Sequence, residues 1–594
     1  MGSLYTGDSG LRASQYALNT TAHNMANLDT EGYTRQQISL ATRPYITTKK
    51  DYNVIAWDQT GLGTYYNNCK QVRSVFLDRQ YRLESGREEF YDVSAKTLGE
   101  VEDQLQELNG TEFADSLNNL WVAVQELAKD PTKAVNQSML VTRSAEFLNR
   151  AQGVYDGLVA YQDNMDKTVK ELVEQINDIG DQIRELNEDI VEIESGQQEH
   201  ANDLRDKRNL LLDQLGELGR IDFYEDTVGN VLVKFEGTQF VTTDHVNHMA
   251  CDTTLVSPVG YNTPYWEYAA KKELNAKGDW VVTDISGANV FDLTQTVATS
   301  TNTDVGKLRA TLLARGDHHA TYHDITDDPT TNYYNKNVSQ SVIMNIEAEF
   351  DQMVHNIVTA INEVFENARS NPINLGLEEA EGKPADYYNL FSQKLDDVEL
   401  NYETKQREKQ REWYNRITGE TVTEAKKDQD IVDGVYAKDD FAFIWVWPEP
   451  EYSKVGYSLS NIQVNKLYLD TPTTLSYFNR ESEEDYMMTT ALKEVFTTPK
   501  YRLNPNVAVK TDVLGYYNML VSQVANSGSM YNGIQENQQM TVDSIGNARE
   551  QIVGTSSDEE LEFMIMFQNA FNAASRYVNV VNEMLEHVIT QLGS

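Results

Sequence analysis

SSDEELEFMIMFQNAFNAASRYVNVVNEMLEHVI, residues Ser556–Ile589, is the most regular stretch of the chain. Met564, Phe567, Phe571, Ala574, Val578, Val581, Leu585, Val588 and Leu592 recur at alternating steps of three and four. This is the a/d seam of a heptad repeat held over four heptads, and it predicts a long helix with one edge shaped for a second helix. Ser557-Asp558-Glu559-Glu560 reads as a capping box, with Ser557 as N-cap and Glu560 three residues on. Its acids also suit the positive end of the helix dipole.

The partner is sought at the other end of the chain. All twelve prolines lie between Pro44 and Pro505, so both ends are free to be helical. Leu4, Leu11, Leu18 and Met25 are spaced by seven, and the positions between them are Gly7, Ser14, Thr21 and Leu28, mostly small. Small residues admit a bulky neighbour, so the N-terminal helix is expected to pair with the C-terminal one as a coiled coil. The simpler reading, an ordinary amphipathic helix packed on its own domain, weighs equally on periodicity alone. Asn27 is expected near the C-cap, with Gly32 supplying the permissive backbone of the following turn.

Further in, the chain changes character several times. From Phe147, apolar residues alternate in threes and fours through Met165, then from Val169 to Ile193, with a stutter between the two runs. A break at Glu194-Ser195-Gly196 and a return through Leu204, Leu211 and Leu215 predict an antiparallel helical hairpin. Further helices are expected over 96–130, ended at Asp130-Pro131, and over 341–367. RIDFYEDTVGNVLVKFEGTQFVTT (Arg220–Thr243) alternates as strands with turns at Val228-Gly229-Asn230 and Glu236-Gly237. Residues 371–500 read as an outer insertion, with a helix-like charged piece, ETKQREKQREWY (Glu403–Tyr414), and a strand-like FAFIWVW (Phe441–Trp447).

The expected class is multidomain α+β. A terminal coiled-coil layer takes 1–45 with 545–594. A second, rod-like layer of long helices takes 46–219, 305–370 and 501–544. The β domain is 220–304 and the variable insertion 371–500.

The chain has 594 residues, enough for three or four domains. Ninety-two acids against 50 bases give a net charge of −42, which repels nucleic acid and anionic membrane surfaces. Two cysteines, Cys69 and Cys251, are too few for a disulfide framework or a structural zinc site. MGSLYTGDSGLRASQ lacks the basic and apolar regions of a Sec-type signal. The longest apolar run, Phe441–Trp447, is far below the roughly 20 residues that span a bilayer. A cytoplasmic protein, or one exported by a signal-independent route, fits these features equally.

SGLRASQYALNTTAHNMANLDTEGYTRQ (Ser9–Gln36) resembles the N-terminal motif of bacterial flagellar axial proteins, and Ser556–Ile589 resembles their C-terminal motif. Rod and hook proteins usually continue the Gly-Tyr with Lys. Here Thr34-Arg35-Gln36 follows, which is similar to the first hook-associated protein, the FlgK family. ANDLRDKRNLLLDQL (Ala201–Leu215), GKLRATLLARGD (Gly306–Asp317) and LGYYNMLVSQVANSG (Leu514–Gly528) also resemble segments of that family. The likeness covers roughly the first 240 residues, the region near 306–366 and everything after about 505.

The resemblance implies a structural subunit at the hook–filament junction, forming a ring-like layer of identical copies outside the cell. It implies contacts with the hook protein and a second junction protein. It also implies export through the flagellar type III pathway, after capture by a chaperone on the C-terminal helix. The assembly seam would be Leu4, Leu11, Leu18, Met25, Asn27 and Gly32 against the nine C-terminal positions. Two other readings stay open: another axial protein of the hook type, and a scaffold carrying an adhesive or enzymatic insertion in 371–500.

No chemistry-bearing motif is present: no H-E-x-x-H, no P-loop and no G-x-G-x-x-G. His245, His248 and Cys251 form one candidate metal cluster. His318, His319 and His323, beside Asp317 and Asp324, form another. Neither has a recognised zinc spacing, and both are expected to be solvated loop residues. No cofactor, metal or enzymatic activity is expected.

Overall fold

The computed structural model describes residues 2–49, 57–106, 113–196, 200–326 (except 258, 276 and 278), 332–370 and 486–592. Between 371 and 485 it describes 389–393, 410–415, 421–422, 426, 429, 431–435, 441–446 and 456–475. The chain opens with α1 (Gly2–Ala26), followed by β1 (Gln36–Thr42), β2 (Ile46–Lys49), β3 (Trp57–Thr60) and β4 (Thr64–Gln71). Helices α2 (Val75–Gln106), α3 (Phe113–Lys129), α4 (Ala134–Glu194) and α5 (Asn202–Leu218) come next. Strands β5 (Ile221–Glu225), β6 (Val231–Phe235), β7 (Thr238–Val241), β8 (Met249–Asp252), β9 (Thr263–Trp266), β10 (Lys271–Leu274) and β11 (Trp280–Asp284) lead to α6 (Lys307–Arg315) and α7 (Val342–Ser370). Short strands β12 (Phe391–Gln393), β13 (Gln410–Asn415), β14 (Thr421–Val422), β15 (Phe441–Val446) and β16 (Ile462–Val464) precede α8 (Lys466–Asp470) and α9 (Tyr486–Thr497). The chain closes with α10 (Val513–Val553) and α11 (Ser557–Leu592). The protein is thus mixed and largely helical, with small sheets whose described pairings are all antiparallel.

The chain divides into two compact units, one of 1–94, 166–312 and 531–594, the other of 95–165 and 313–530. In the first, the hairpin of α4 and α5 carries the core. Val169, Ile176 and Ile183 of α4, spaced by seven, meet Leu212 and Leu215 of α5 and Phe235, Phe240 and Trp266 of the strands. The turn before β6 is set by Asp226, whose Oδ1 accepts from the backbone N–H of Val228, Gly229 and Asn230.

The second unit is built on α7. Phe350 of α7 and Tyr517 of α10 pack on Phe113 at ring distances of 5.0 and 5.1 Å, with Phe147 at 5.6 Å. Trp121 of α3 stacks on Phe496 of α9 at 5.3 Å. Three carboxylates on this helix, Glu347, Glu349 and Asp351, are fully buried.

Several expectations need correction. The helix expected over 96–130 belongs to two helices, α2 and α3, and α2 begins 21 residues earlier, at Val75. The helix read from Phe147 begins at Ala134, just past Pro131; Asn136 Nδ2, donating to the carbonyls of Glu126 and Asp130, ties that turn. In the charged stretch, residues 403–409 lie outside the described residues, but 410–414 are strand. There Trp413 pairs with Phe443 and Glu412 with Ile444, so an apolar neighbouring strand overrides a locally helical composition.

The stretch 371–500 is also not wholly an outer decoration. β12 and β16 pair at its root, and Asn362 of α7 bonds both backbone groups of Phe391. Leu492, Val495 and Phe496 of α9 are buried against the unit's core.

Candidate assembly interface

The site is built from the two ends of the chain, both in the first unit. α1 lies along α11 with the two helices antiparallel. A Cβ on Gly7 would sit 2.5 Å from Val578 Cγ2 and 3.1 Å from Tyr577 Cδ1, and one on Gly10 would sit 3.5 Å from the Ala574 Cβ. Glycine at position 7 is therefore a spatial requirement, letting the backbone of α1 approach a bulkier helix. The opposite face of α1 rests on the β-hairpin. There Ser9 Oγ accepts from the Thr64 N–H at 3.2 Å, and the rings of Tyr16 and Tyr66 lie 5.0 Å apart.

The small residues are the buried ones. Gly7, Ser14 and Thr21 are covered, together with Ala13, Ala17 and Asn24, while Leu4, Leu11, Leu18 and Met25 are only half-buried. The expected emphasis on the leucine row is thus reversed, because α1 is held on two sides and its thin edge admits the closest contact. On α11, Met564, Phe567, Phe571, Ala574, Val578, Val581 and Leu585 are half-buried, and Val588 is exposed. Leu592 ends the helix, and its side chain lies outside what is described.

The turn after α1 is where the ends are joined. Asn27 caps the helix: its N–H donates to the His23 and Asn24 carbonyls, and its Nδ2 to the His23 carbonyl at 3.0 Å. Gly32 has φ +75°, a left-handed conformation that favours glycine. Asn24 spends its whole amide on the turn: Nδ2 donates to the Gln36 carbonyl, and Oδ1 accepts from the Tyr33 hydroxyl at 2.7 Å and the Gln36 N–H at 3.1 Å. Burial, then the nearby Asp206 carboxylate, raises the Tyr33 hydroxyl well above its ordinary pKa, so it stays a donor. Asp206 accepts from the Thr34 N–H at 3.1 Å, and burial pushes its pKa up to about 6.

Arg35 closes the joint. Its backbone N–H donates to the Val553 carbonyl at 2.9 Å, Nε donates to Glu560 at 3.0 Å and Nη1 to Glu559 at 2.9 Å. Its guanidinium lies 5.5 Å from the centre of the Phe563 ring. Glu560 is 2% exposed, so this is a largely desolvated ion pair spanning 525 residues of sequence. The expected capping box is corrected here. The N-cap is Ser556, whose Oγ accepts from the Glu559 N–H at 3.5 Å, and Glu560 turns to Arg35 instead of back to its own backbone.

One feature of α11 escaped the sequence reading. Met566, Ala570, Ala573, Tyr577, Val580 and Met584 form a second row at steps of four and three, beside the first, and all are exposed. The signal was present as a second heptad phase, but a single seam satisfied the search for one partner.

The histidine clusters are not drawn into metal sites. His248 Nε2 faces Asp181 at 3.0 Å, His245 Nδ1 faces Asp244 at 3.0 Å, and Cys251 lies half-buried against the core of the first unit. In the second unit, His318 bridges Asp317 and Asp324 at 2.6 and 3.2 Å, His319 Nε2 is 3.5 Å from Asp163, and the His323 ring lies 4.0 Å from that of Tyr322. Among the described residues, no group of three or more His, Cys, Asp or Glu could hold a metal ion. Nor is any described helix long and apolar enough to cross a membrane.

The two ends of the chain are thus folded together, and an apolar row stays exposed on one of them. Residues 98–371 match the flagellar hook-associated protein FlgK helical domain, and residues 4–34 match the flagella basal body rod protein family. Flagellar hook-associated protein 1 of Bacillus subtilis is 25% identical over 592 residues, covering 99% of this chain and 98% of the relative. Flagellar hook-associated protein 1 of Salmonella typhimurium is 24% identical over 44% of this chain and 46% of its own length. The flagellar hook junction protein FlgK from Burkholderia pseudomallei aligns with a TM-score of 0.48 and 11% identity, over 80% of this chain and 99% of that one. Over nearly its whole length the chain is thus similar to flagellar hook-associated protein 1, and residues 98–371 match the FlgK helical domain.

Proposed function

We propose that the protein is a structural subunit of the junction between flagellar hook and filament, and that it acts by assembly and carries out no catalysis. The observation that carries this reading is the Arg35 joint together with the stripe it leaves free. The first and last helices are locked to one another, and Met566, Tyr577, Val580 and Met584 of α11 are 45–63% exposed. A row of large apolar side chains along a helix marks an interaction surface. Copies arranged in a ring cover each other's stripes, and the paired ends act as an antiparallel coiled coil completed by neighbours.

The hook protein and a second junction protein are the partners below and above. The chain reaches its place unfolded, through the flagellar type III pathway, after a chaperone has covered the C-terminal helix. That order fits a helix whose apolar faces would otherwise aggregate in the cytoplasm. Immunogold labelling of intact cells tests the reading. A band at the hook–filament boundary is expected, and label spread along the filament or confined to the cytoplasm overturns it.

A further inference from the structure

The first unit contains a cleft of about 600 Å³ where the end of β4, the start of α2, α5 and the β5–β6 hairpin meet. Its walls are unusual for a chain of net charge −42. Lys70, Arg79, Arg205 and Arg208 face it, and Glu225 is a carboxylate in its lining. Arg73 also lines it but is neutralised by Asp78, at 3.1 and 3.0 Å.

Of the remaining cations, Arg205 is fully paired, whereas no carboxylate is hydrogen-bonded to Arg208, Arg79 or Lys70 among the described residues. Arg205 takes both oxygens of Glu194, each at 2.8 Å, and Glu225 at 2.7 Å. Arg208 is 2% exposed, and its Nη1 donates only to neutral groups, the Asn187 side chain and the Gly229 carbonyl. Its nearest carboxylate is the shared Glu225, at 3.6 Å, and its Nε has no hydrogen-bond partner. Burial depresses its pKa to about 10, the expected response of a guanidinium short of counter-charge. Arg79, at the exposed rim, donates to the Phe223 carbonyl at 3.3 Å and lies over the Phe223 ring. Lys70 is exposed at the rim as well.

A guanidinium buried without full compensation calls for an oxyanion, which accepts from guanidinium N–H groups in a planar fork. The cleft is far larger than one inorganic anion, and its floor is partly apolar, with Leu212, Phe223 and Val231. That combination suits the methylenes and carboxylates of acidic side chains. Charge gives the source: copies at −42 repel one another, and close contact between them needs a local basic surface. We propose that this cleft binds carboxylates of an acidic segment on a second copy of the chain. This rests on the self-association proposed above.

The test uses the full-length protein and a fluorescein-labelled hexaglutamate peptide, read by anisotropy. A protein of this net charge would repel such a peptide anywhere but at a basic site. Binding is expected, weakened by added KCl and by inorganic sulfate. Lys70→Glu/Arg79→Glu, both at exposed positions, should weaken it at least tenfold with an unchanged melting curve, while Lys70→Arg/Arg79→Lys retains it. Binding by the double-acid variant within twofold of the parent overturns the proposal, as does thermal stabilisation by sulfate with no peptide binding, which would mark a small-anion site only. Label at the hook–filament boundary with no peptide binding would sink this inference alone. Peptide binding lost in the double-acid variant, with no label at the boundary, would instead sink the junction reading and the second copy as ligand.

Discussion

Replacing Arg35 by alanine isolates the joint between the chain ends. The substitution removes two ion pairs of unequal weight. The pair with Glu559, which is 59% exposed, contributes at most about 1 kcal/mol in water. The pair with Glu560 is different, because that side chain is 2% exposed and cannot recover hydration in place. Removing one partner of a buried pair costs about 3–5 kcal/mol, since the remaining charge is left buried and alone. The contact of the guanidinium with the Phe563 ring adds to the loss. The backbone bond from Arg35 to the Val553 carbonyl survives, so the chain path is kept. A loss of about 3 kcal/mol raises the local opening of the joint roughly 100-fold, at 1.4 kcal/mol per factor of ten.

Hydrogen exchange on the full-length protein reads this directly. Amides of the first turns of α11 should exchange about 100-fold faster in Arg35→Ala, up to the limit set by the joint's own stability. Amides of α7, in the other unit, should not change. The double variant Arg35→Ala/Glu560→Gln should recover most of the difference, because an amide at position 560 leaves no buried charge. Refutation would be exchange at 557–570 within threefold of the parent in Arg35→Ala. Equal acceleration in the single and double variants would refute the account of the mechanism, leaving lost packing as the cause.

Gly7→Leu should drive α1 away from Val578 at an overpacking cost of about 1–3 kcal/mol, and Val578→Ala in the same chain should restore part of it; the read-out is filament retention on cells that secrete the variant normally. Val580→Glu/Met584→Glu, on the exposed stripe, should leave thermal stability within about 0.5 kcal/mol of the parent yet release filaments into the medium, and motility at parental levels would discard the stripe as an assembly surface. The second unit should lose stability as pH rises: burial lifts Glu347 from 4.5 to about 8, and hydrogen bonds to Asp317 and Asp324 lift His318 from 6.5 to about 10. Both folded pKa values exceed the unfolded ones, so the stabilisation is complete below the lower value and lost through the upper one; urea unfolding followed at α7 should show it between about pH 5 and 10, with Glu347→Gln flattening the part below about pH 8, and a stability that rises across that window contradicts the assignment.

What could be read from the sequence depended on whether the cause was local. The heptads of α11 were visible because their period is a property of one segment. So was the turn at Gly32, where backbone conformation selects the residue. The strand at Gln410–Asn415 was not, because what makes it a strand is Phe441–Val446 alongside it. The roots β12 and β16 have three residues each, too few for any period to register. The basic cleft was invisible for the same reason as the Arg35 joint. Its cations come from β4, the start of α2 and α5, and only the fold shows which of them lack a counter-charge.

The most instructive error lies on α1. Heptad logic gives weight to leucines, yet the partner comes closest at Gly7, where a Cβ would not fit. A large side chain states its own preference for burial, whereas a small one only permits an approach that another segment must make. The small row at Gly7, Ser14 and Thr21 could therefore be read as room for a bulky partner, but not that Val578 is what faces position 7. The joint extends the same logic. Arg35 follows the turn that carries the chain out of α1 and into β1, and it grips the start of α11 by backbone and side chain together. A single residue thus ties the stretch that follows the first helix to the start of the last. The start of the chain is thus held from two sides, by strands close in sequence and by residues more than 500 positions later.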